Sequence, residues 1–137
     1  MTGYRLLAAL AALPVALMLA APASADVMAP PYVDHTRWAQ WGVGRSSLQV
    51  YPTHAGRVEA ARFGTDSQAA EAWGEVLALS PDADTPGMRA QFLCHWHYAE
   101  FAEPGKASWN LEPWRPVVDD KEMVASGCNP GGPEESF

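Results

Sequence analysis

A chain of 137 residues with 16 Asp and Glu against 9 Lys and Arg carries a formal charge of −7. Dispersed acidity repels phosphate backbones and acidic lipid, so neither nucleic-acid binding nor adsorption to an anionic membrane surface is expected. Setting aside the first 25 residues leaves 112 residues at −8, enough for one domain and not two.

Those first 25 residues read as a secretory signal. Arg5 and the amino terminus make a short positive start, residues 6–21 are apolar with Pro14 among them, and Ala23-Ser24-Ala25 offers the small residues a signal peptidase needs. Cleavage is expected before Asp26. The alternative is an uncleaved anchor, but the run is short for a spanning helix and Pro14 weakens it further. No cysteine follows the run to carry a lipid, and no Arg-Arg pair precedes it. The expected location is extracellular or within the cell envelope, with no stable membrane insertion after cleavage.

Residues 26–36 contain Pro30-Pro31 and no apolar periodicity; they read as a flexible N-terminal arm. The domain proper is expected over 37–130, with a polar tail at 131–137. After Trp38 and Trp41, residues 46–51 alternate and are rich in strand formers, ending at Pro52. Residues 54–57 read as a turn. Residues 58–63 suit a partner strand or a short helix, too short a run for period to decide.

The clearest helix is 65–79. Asp66 can cap it, and Ala69, Trp73, Val76 and Leu77 fall on one face. Gly74 inside it costs about 1 kcal/mol against alanine, which suggests a close neighbour there. Residues 80–87 form a loop, and Thr85-Pro86 resembles an N-cap with proline at the first helical position.

From Gln91 the period changes to two. Phe92, Cys94, Trp96 and Tyr98 alternate with Leu93, His95 and His97, which predicts a strand with its aromatic face inward. The competing reading carries a helix from Thr85-Pro86 through Trp96, grouping Met88, Phe92 and Trp96 and pointing the two histidines about 200° apart. Beyond a turn at 104–108, residues 109–116 hold two prolines, which push Glu112 and Arg115 toward extended backbone. Asp119 can cap a last short helix with Glu122 three residues on, and Gly127 can end it.

The chain has two cysteines, Cys94 and Cys128, with thirty-three residues between them. In an exported chain oxidation to a disulfide is the expected state. Closing that loop removes about 4 kcal/mol of unfolded-state entropy on the chain-entropy argument. Two free buried thiols are the alternative. A zinc site would need His95 and His97 as well, and no Cys-x-x-Cys or His-x-x-x-His spacing is present.

The candidate sites are few. His95 and His97 on a strand make a two-ligand geometry for a transition metal, with Glu100 or Glu103 as a third ligand, but solvated histidines flank strands often, so no metal and no cofactor are expected. His54, Arg57 and Asp66 lie near predicted turns and would make an acid–base or anion-binding cluster, against the plainer reading of ordinary turn polarity. No Gly-x-Ser-x-Gly surrounds a serine, and no catalytic residue is assigned. The most distinctive segment is 109–116. Trp109, Glu112, Trp114 and Arg115 have the composition of a binding hot spot. The plain alternative is a stiff loop whose tryptophans cover the core while Arg115 pairs with Glu112 or stacks on a ring.

Three strings, Pro86-Gly87-Met88-Arg89-Ala90-Gln91-Phe92-Leu93-Cys94-His95, Trp109-Asn110-Leu111-Glu112-Pro113-Trp114-Arg115-Pro116 and Gly127-Cys128-Asn129-Pro130-Gly131, resemble an uncharacterised domain family of secreted actinobacterial proteins. With the 48–57 stretch and the Trp73 helix, the resemblance covers most of 45–131. It implies export and a paired cysteine, and no reaction. His97 is outside its motif.

The sequence therefore predicts an α+β domain: a small antiparallel sheet, one main helix, a second short C-terminal helix and one disulfide. The expected role is a secreted, non-catalytic binding module for a protein or cell-envelope component. The alternative is a small envelope hydrolase using a histidine and a carboxylate.

Overall fold

The computed structural model describes residues 11–20 and 26–134. Residues 23–25 of the expected cleavage site and most of the expected signal fall outside the described residues. Residues 11–20 are exposed and take no regular secondary structure. Among the described residues no helix is long and apolar enough to cross a membrane.

The elements run β1 (Val33–Gln40), β2 (Ser46–Pro52), α1 (His54–Ala60), α2 (Asp66–Leu79), a 3-10 turn (Pro81–Ala83), α3 (Met88–Ala102), β3 (Trp109–Leu111) and α4 (Asp120–Ala125). The strands form an antiparallel sheet in the order β1-β2-β3. Side chains alternate between faces along a strand, so the register decides which residues share a face. Trp38 pairs with Leu48 and Leu48 with Leu111, while Thr36 pairs with Val50 and Val50 with Trp109. This face meets Trp73 and Val76 of α2 and Phe92 and Trp96 of α3 in one core. Trp109 stands edge-on to Phe92 at 6.0 Å and to Trp96 at 6.1 Å, the arrangement that ring quadrupoles favour. The opposite face carries Arg37, Gln49 and Asn110 in register.

The α+β class, the small antiparallel sheet and the Cys94–Cys128 disulfide are as the sequence predicts. The strand expected at 92–98 is not. These residues lie inside α3, the competing helical reading. Met88, Phe92, Trp96 and Ala99 occupy one helical face and are buried, while Tyr98 is 47% exposed and His95 only 3%. The inward aromatic face and outward histidines predicted for a strand are thus reversed at both positions. The turn expected at 54–57 is the start of α1, where the Thr53 hydroxyl accepts from the Gly56 N–H at 3.0 Å. Gly56 is required there, because a Cβ would come within 2.2 Å of the Tyr32 carbonyl oxygen. The expected Asp66 cap is replaced by Thr65, whose hydroxyl instead accepts from Trp96 Nε1 at 3.0 Å.

The arm expected to be flexible is anchored. Glu75 accepts from the Tyr32 and Val33 N–H groups at 2.8 and 2.7 Å, and the buried Glu59 accepts from Met28 N–H at 2.7 Å. Residues 33–36 already belong to β1. Tyr32 is buried between these carboxylates. Burial pushes its phenol pKa up, and the negative charges of Glu71, Glu59 and Glu75 push it further. The unfolded phenol ionises near about pH 10, so the folded protein holds this proton longer. The associated stability is present below about pH 10 and is lost as pH rises through the folded value. Urea midpoints measured between about pH 9 and about pH 11 should fall more steeply for the wild type than for Tyr32→Phe. Parallel slopes would contradict the shift.

Gly74 has no close neighbour. A Cβ there meets nothing within 4 Å, so the expected tight contact is absent and only the entropic cost of glycine remains. Gly74→Ala should stabilise the protein by about 0.5–1 kcal/mol, read as a higher melting temperature. A drop would show an unseen packing constraint.

The last helix begins as expected, with the Asp119 carboxylate accepting from Glu122 N–H at 2.8 Å. Gly127 and Cys128 both take left-handed backbone after it, at φ of 61° and 68°. The tail is not loose where it is described: Lys106 pairs with Glu134, and residues 130–133 are bound by Arg115.

Candidate functional site

Segment 109–116 divides into a buried half and a surface half. Trp109 is fully buried in the core. Glu112 and Arg115 have fully buried side chains and pair at 3.0 Å between Arg115 Nε and Glu112 Oε2. Ionised groups survive burial only when paired and hydrogen-bonded, and these are. Ser47 Oγ donates to Glu112 Oε1 at 3.1 Å. Arg115 donates to the carbonyls of Pro130, Gly132 and Pro133 at 3.2, 2.9 and 3.0 Å. The Gln91 amide clasps the Glu112 backbone, donating to its carbonyl and accepting from its N–H, both at 2.9 Å. β2, α3, the chain after β3 and the C-terminal segment therefore meet at one polar knot.

Trp114 rests on that knot. The Arg115 guanidinium lies 4.5 Å from its ring centroid, and its indole N–H donates to the Ser46 carbonyl at 3.1 Å. Across the β1–β2 hairpin, Trp41 packs against it at 5.3 Å. The exposed Arg45 guanidinium sits 4.9 Å from the Trp114 ring and 5.4 Å from the Trp41 ring. Gly42 and Gly44 take φ of 69° and 70°, the left-handed backbone that lets the hairpin bring Trp41 and Arg45 together. The Trp41 N–H closes it on the Arg45 carbonyl at 2.6 Å. The sequence marks Trp114 as a candidate and does not mark Trp41 or Arg45 beside it, although Trp41-Gly42-Val43-Gly44-Arg45 carries the signature of a tight turn between two large side chains.

The histidines separate. His95 is buried with Nε2 3.1 Å from the Asn110 carbonyl oxygen. His97 faces a groove between α3 and α4 lined by Leu93, Tyr98, Met123 and Val124, and its Nε2 lies 3.3 Å from Asp66 Oδ1. Among the described residues no three His, Cys, Asp or Glu side chains gather as they would around a metal ion. Nor do His54, Arg57 and Asp66 converge: His54 is exposed, Arg57 pairs with Glu100 at 2.8 Å, and Asp66 faces His97.

A family profile described as "Protein of unknown function (DUF2599)" matches residues 33–131. An uncharacterised protein of Mycobacterium tuberculosis is 68% identical over 108 residues, spanning 79% of this chain and 72% of its own length. A protein of Mycobacterium bovis, also uncharacterised, matches to the same extent. A Mycobacterium leprae relative is 57% identical over 104 residues, 74% of this chain and 80% of its own. No solved structure matches.

Proposed function

The chain belongs to that family, and from this premise we propose that it is an exported, non-catalytic binding module that holds a protein or cell-envelope component on the surface formed by Trp41, Arg45 and Trp114. The observation that carries the reading is the exposed Arg45 guanidinium held against two indole rings that pack on each other. Aromatic and arginine side chains dominate binding hot spots, and a group already fixed in place loses little entropy on association. Trp109, Glu112 and Arg115 act from beneath, fixing the backbone and the ring of Trp114. The apolar N-terminal run supports export, and so does the disulfide.

Arg45→Ala and Trp114→Ala should each weaken retention of the purified protein by isolated cell envelope about tenfold or more, with circular dichroism unchanged. Retention equal to wild type in both variants would refute the site. The hydrolase alternative draws on the His97–Asp66 contact. Hydrolysis of envelope material by the wild type that disappears in His97→Ala would favour it instead.

A further inference from the structure

The outer face of the sheet holds a second site that does not rest on the Trp41–Arg45–Trp114 surface. Gln49, Asn110 and Ser108 line a cavity of about 300 Å³ there, together with Arg37, Tyr51, Lys106, Glu103 and Glu134. Gln49 is 2% exposed and Asn110 5%, yet both are polar and neither is fully hydrogen-bonded. Gln49 Oε1 accepts from Arg37 Nε at 3.0 Å, from Arg37 Nη2 at 2.6 Å and from the Tyr51 hydroxyl at 3.1 Å. A guanidinium only donates, so this atom is the oxygen and the NH2 end of Gln49 is the free one. Asn110 Oδ1 accepts from the Ser108 hydroxyl at 2.7 Å. Neither NH2 group has a hydrogen-bond partner among the described residues. Their nitrogens are not closed off from solvent and open into the cavity, where two adjacent amide donors without a protein partner can take the oxygens of a guest.

The charges around the cavity narrow what the guest is. Arg37 and Lys106 are balanced by Glu103 and Glu134. Lys106 lies 3.6 Å from Glu103 and pairs with Glu134. An anion at Lys106 would have to displace those carboxylates, and one at Arg37, held on Gln49 Oε1, would enter a lining with two negative charges on a chain already at −7. A cation would have to displace Lys106. A neutral guest that both donates and accepts meets every group without breaking a pair: its oxygens take the Gln49 and Asn110 amide hydrogens, and its hydroxyl hydrogens reach the carboxylates. Tyr51, stacked on His35 at 4.1 Å, supplies a fixed ring at one wall. The lining is side chains of a sheet face and not an unpaired strand edge, so it does not suit a peptide backbone. The volume is at the small end for ligand pockets, room for a single ring.

We propose that this cavity on the outer sheet face, floored by Gln49 and Asn110, binds a neutral sugar ring. The test is by NMR on the purified protein, following the side-chain NH2 signals of Gln49 and Asn110. Glucose, galactose, mannose and N-acetylglucosamine are titrated to tens of millimolar, with acetate and inorganic phosphate as separate arms. The expected result is a saturable shift of both NH2 signals with at least one sugar and none with the anions. Lys106→Met, a change at the cavity rim, should weaken that sugar roughly five- to tenfold while leaving the remaining spectrum in place. Three results would overturn the proposal: no shift with any of the four sugars, shifts with acetate or phosphate only, or sugar-induced shifts confined to the Trp41 and Trp114 indole signals. The last would place sugar on the aromatic surface, so the two sites fail separately.

Discussion

Arg115→Met should cost about 3–5 kcal/mol of folding stability, measured as the loss of unfolding free energy in urea. The reason is what the substitution leaves behind. Glu112 stays fully buried and loses the Arg115 guanidinium, while Ser47 remains as a hydrogen-bond donor. The carbonyls of Pro130, Gly132 and Pro133 lose their donors at the same time. Domains of this kind have about 5–15 kcal/mol in total, so the variant should stand near the edge of folding. Removing both charges, in Arg115→Met with Glu112→Leu, should recover part of the loss, since an uncharged pair leaves no buried carboxylate deprived of its guanidinium. Arg45→Ala provides the contrast. Arg45 is exposed, and its loss should change stability by no more than about 0.5 kcal/mol although it sits at the proposed binding surface. Arg115→Met within about 1 kcal/mol of wild type would mean that the knot is not what holds Trp114 and the C-terminal segment.

The knot itself was half legible. Arg115 and Glu112 stand three residues apart, and their pairing was one of two readings of segment 109–116. That the pair is buried depends on Ser47, Gln91 and the carbonyls after Cys128, partners too distant in sequence for local pattern to indicate. α3 failed for a different reason. In the seven residues from Phe92 to Tyr98, a helix with two buried sides gives the same alternation as a half-buried strand. One face holds Phe92 and Trp96 against the sheet, and Cys94 turns toward α4. A signal for helix was present, because no Val, Ile or Thr occurs from Met88 to Ala102, whereas strands favour those residues. β1 went unread because both its faces carry polar groups. Arg37 turns to Gln49, while Thr36 bonds Ser80 and Trp38 bonds Asp82. Where one contact was local, as at the Asp119 cap or the Gly127 helix end, the sequence was enough.

Breaking the Cys94–Cys128 bridge should cost about 2–5 kcal/mol, and the loss should begin in one place. The bridge joins the middle of α3 to the turn after α4, with a Cα–Cα distance of 5.6 Å. Around it lie Met123 and, partly buried, Ala90 and Val118, a cluster separate from the main core. α4 has six residues, far below the length at which a helix holds by itself in water. Its Lys121, Glu122 and Val124 are exposed, so Met123 is the one side chain of its middle turn that reaches the interior. Without the bridge, α4 keeps that single anchor and its Asp119 cap. Reduction, or paired Cys94→Ser and Cys128→Ser substitution, should therefore speed amide hydrogen exchange across 120–128 well before exchange rises in β2 or in the Phe92–Trp96 stretch of α3. Local opening of this kind is expected where few apolar contacts hold a segment. A uniform rise across the sheet and α4 together would show that the bridge stabilises the fold only as a whole. A reduced protein with unchanged exchange at 120–128 and an unfolding free energy within about 1 kcal/mol of the oxidised form would show that Met123 and the Asp119 cap hold α4 unaided.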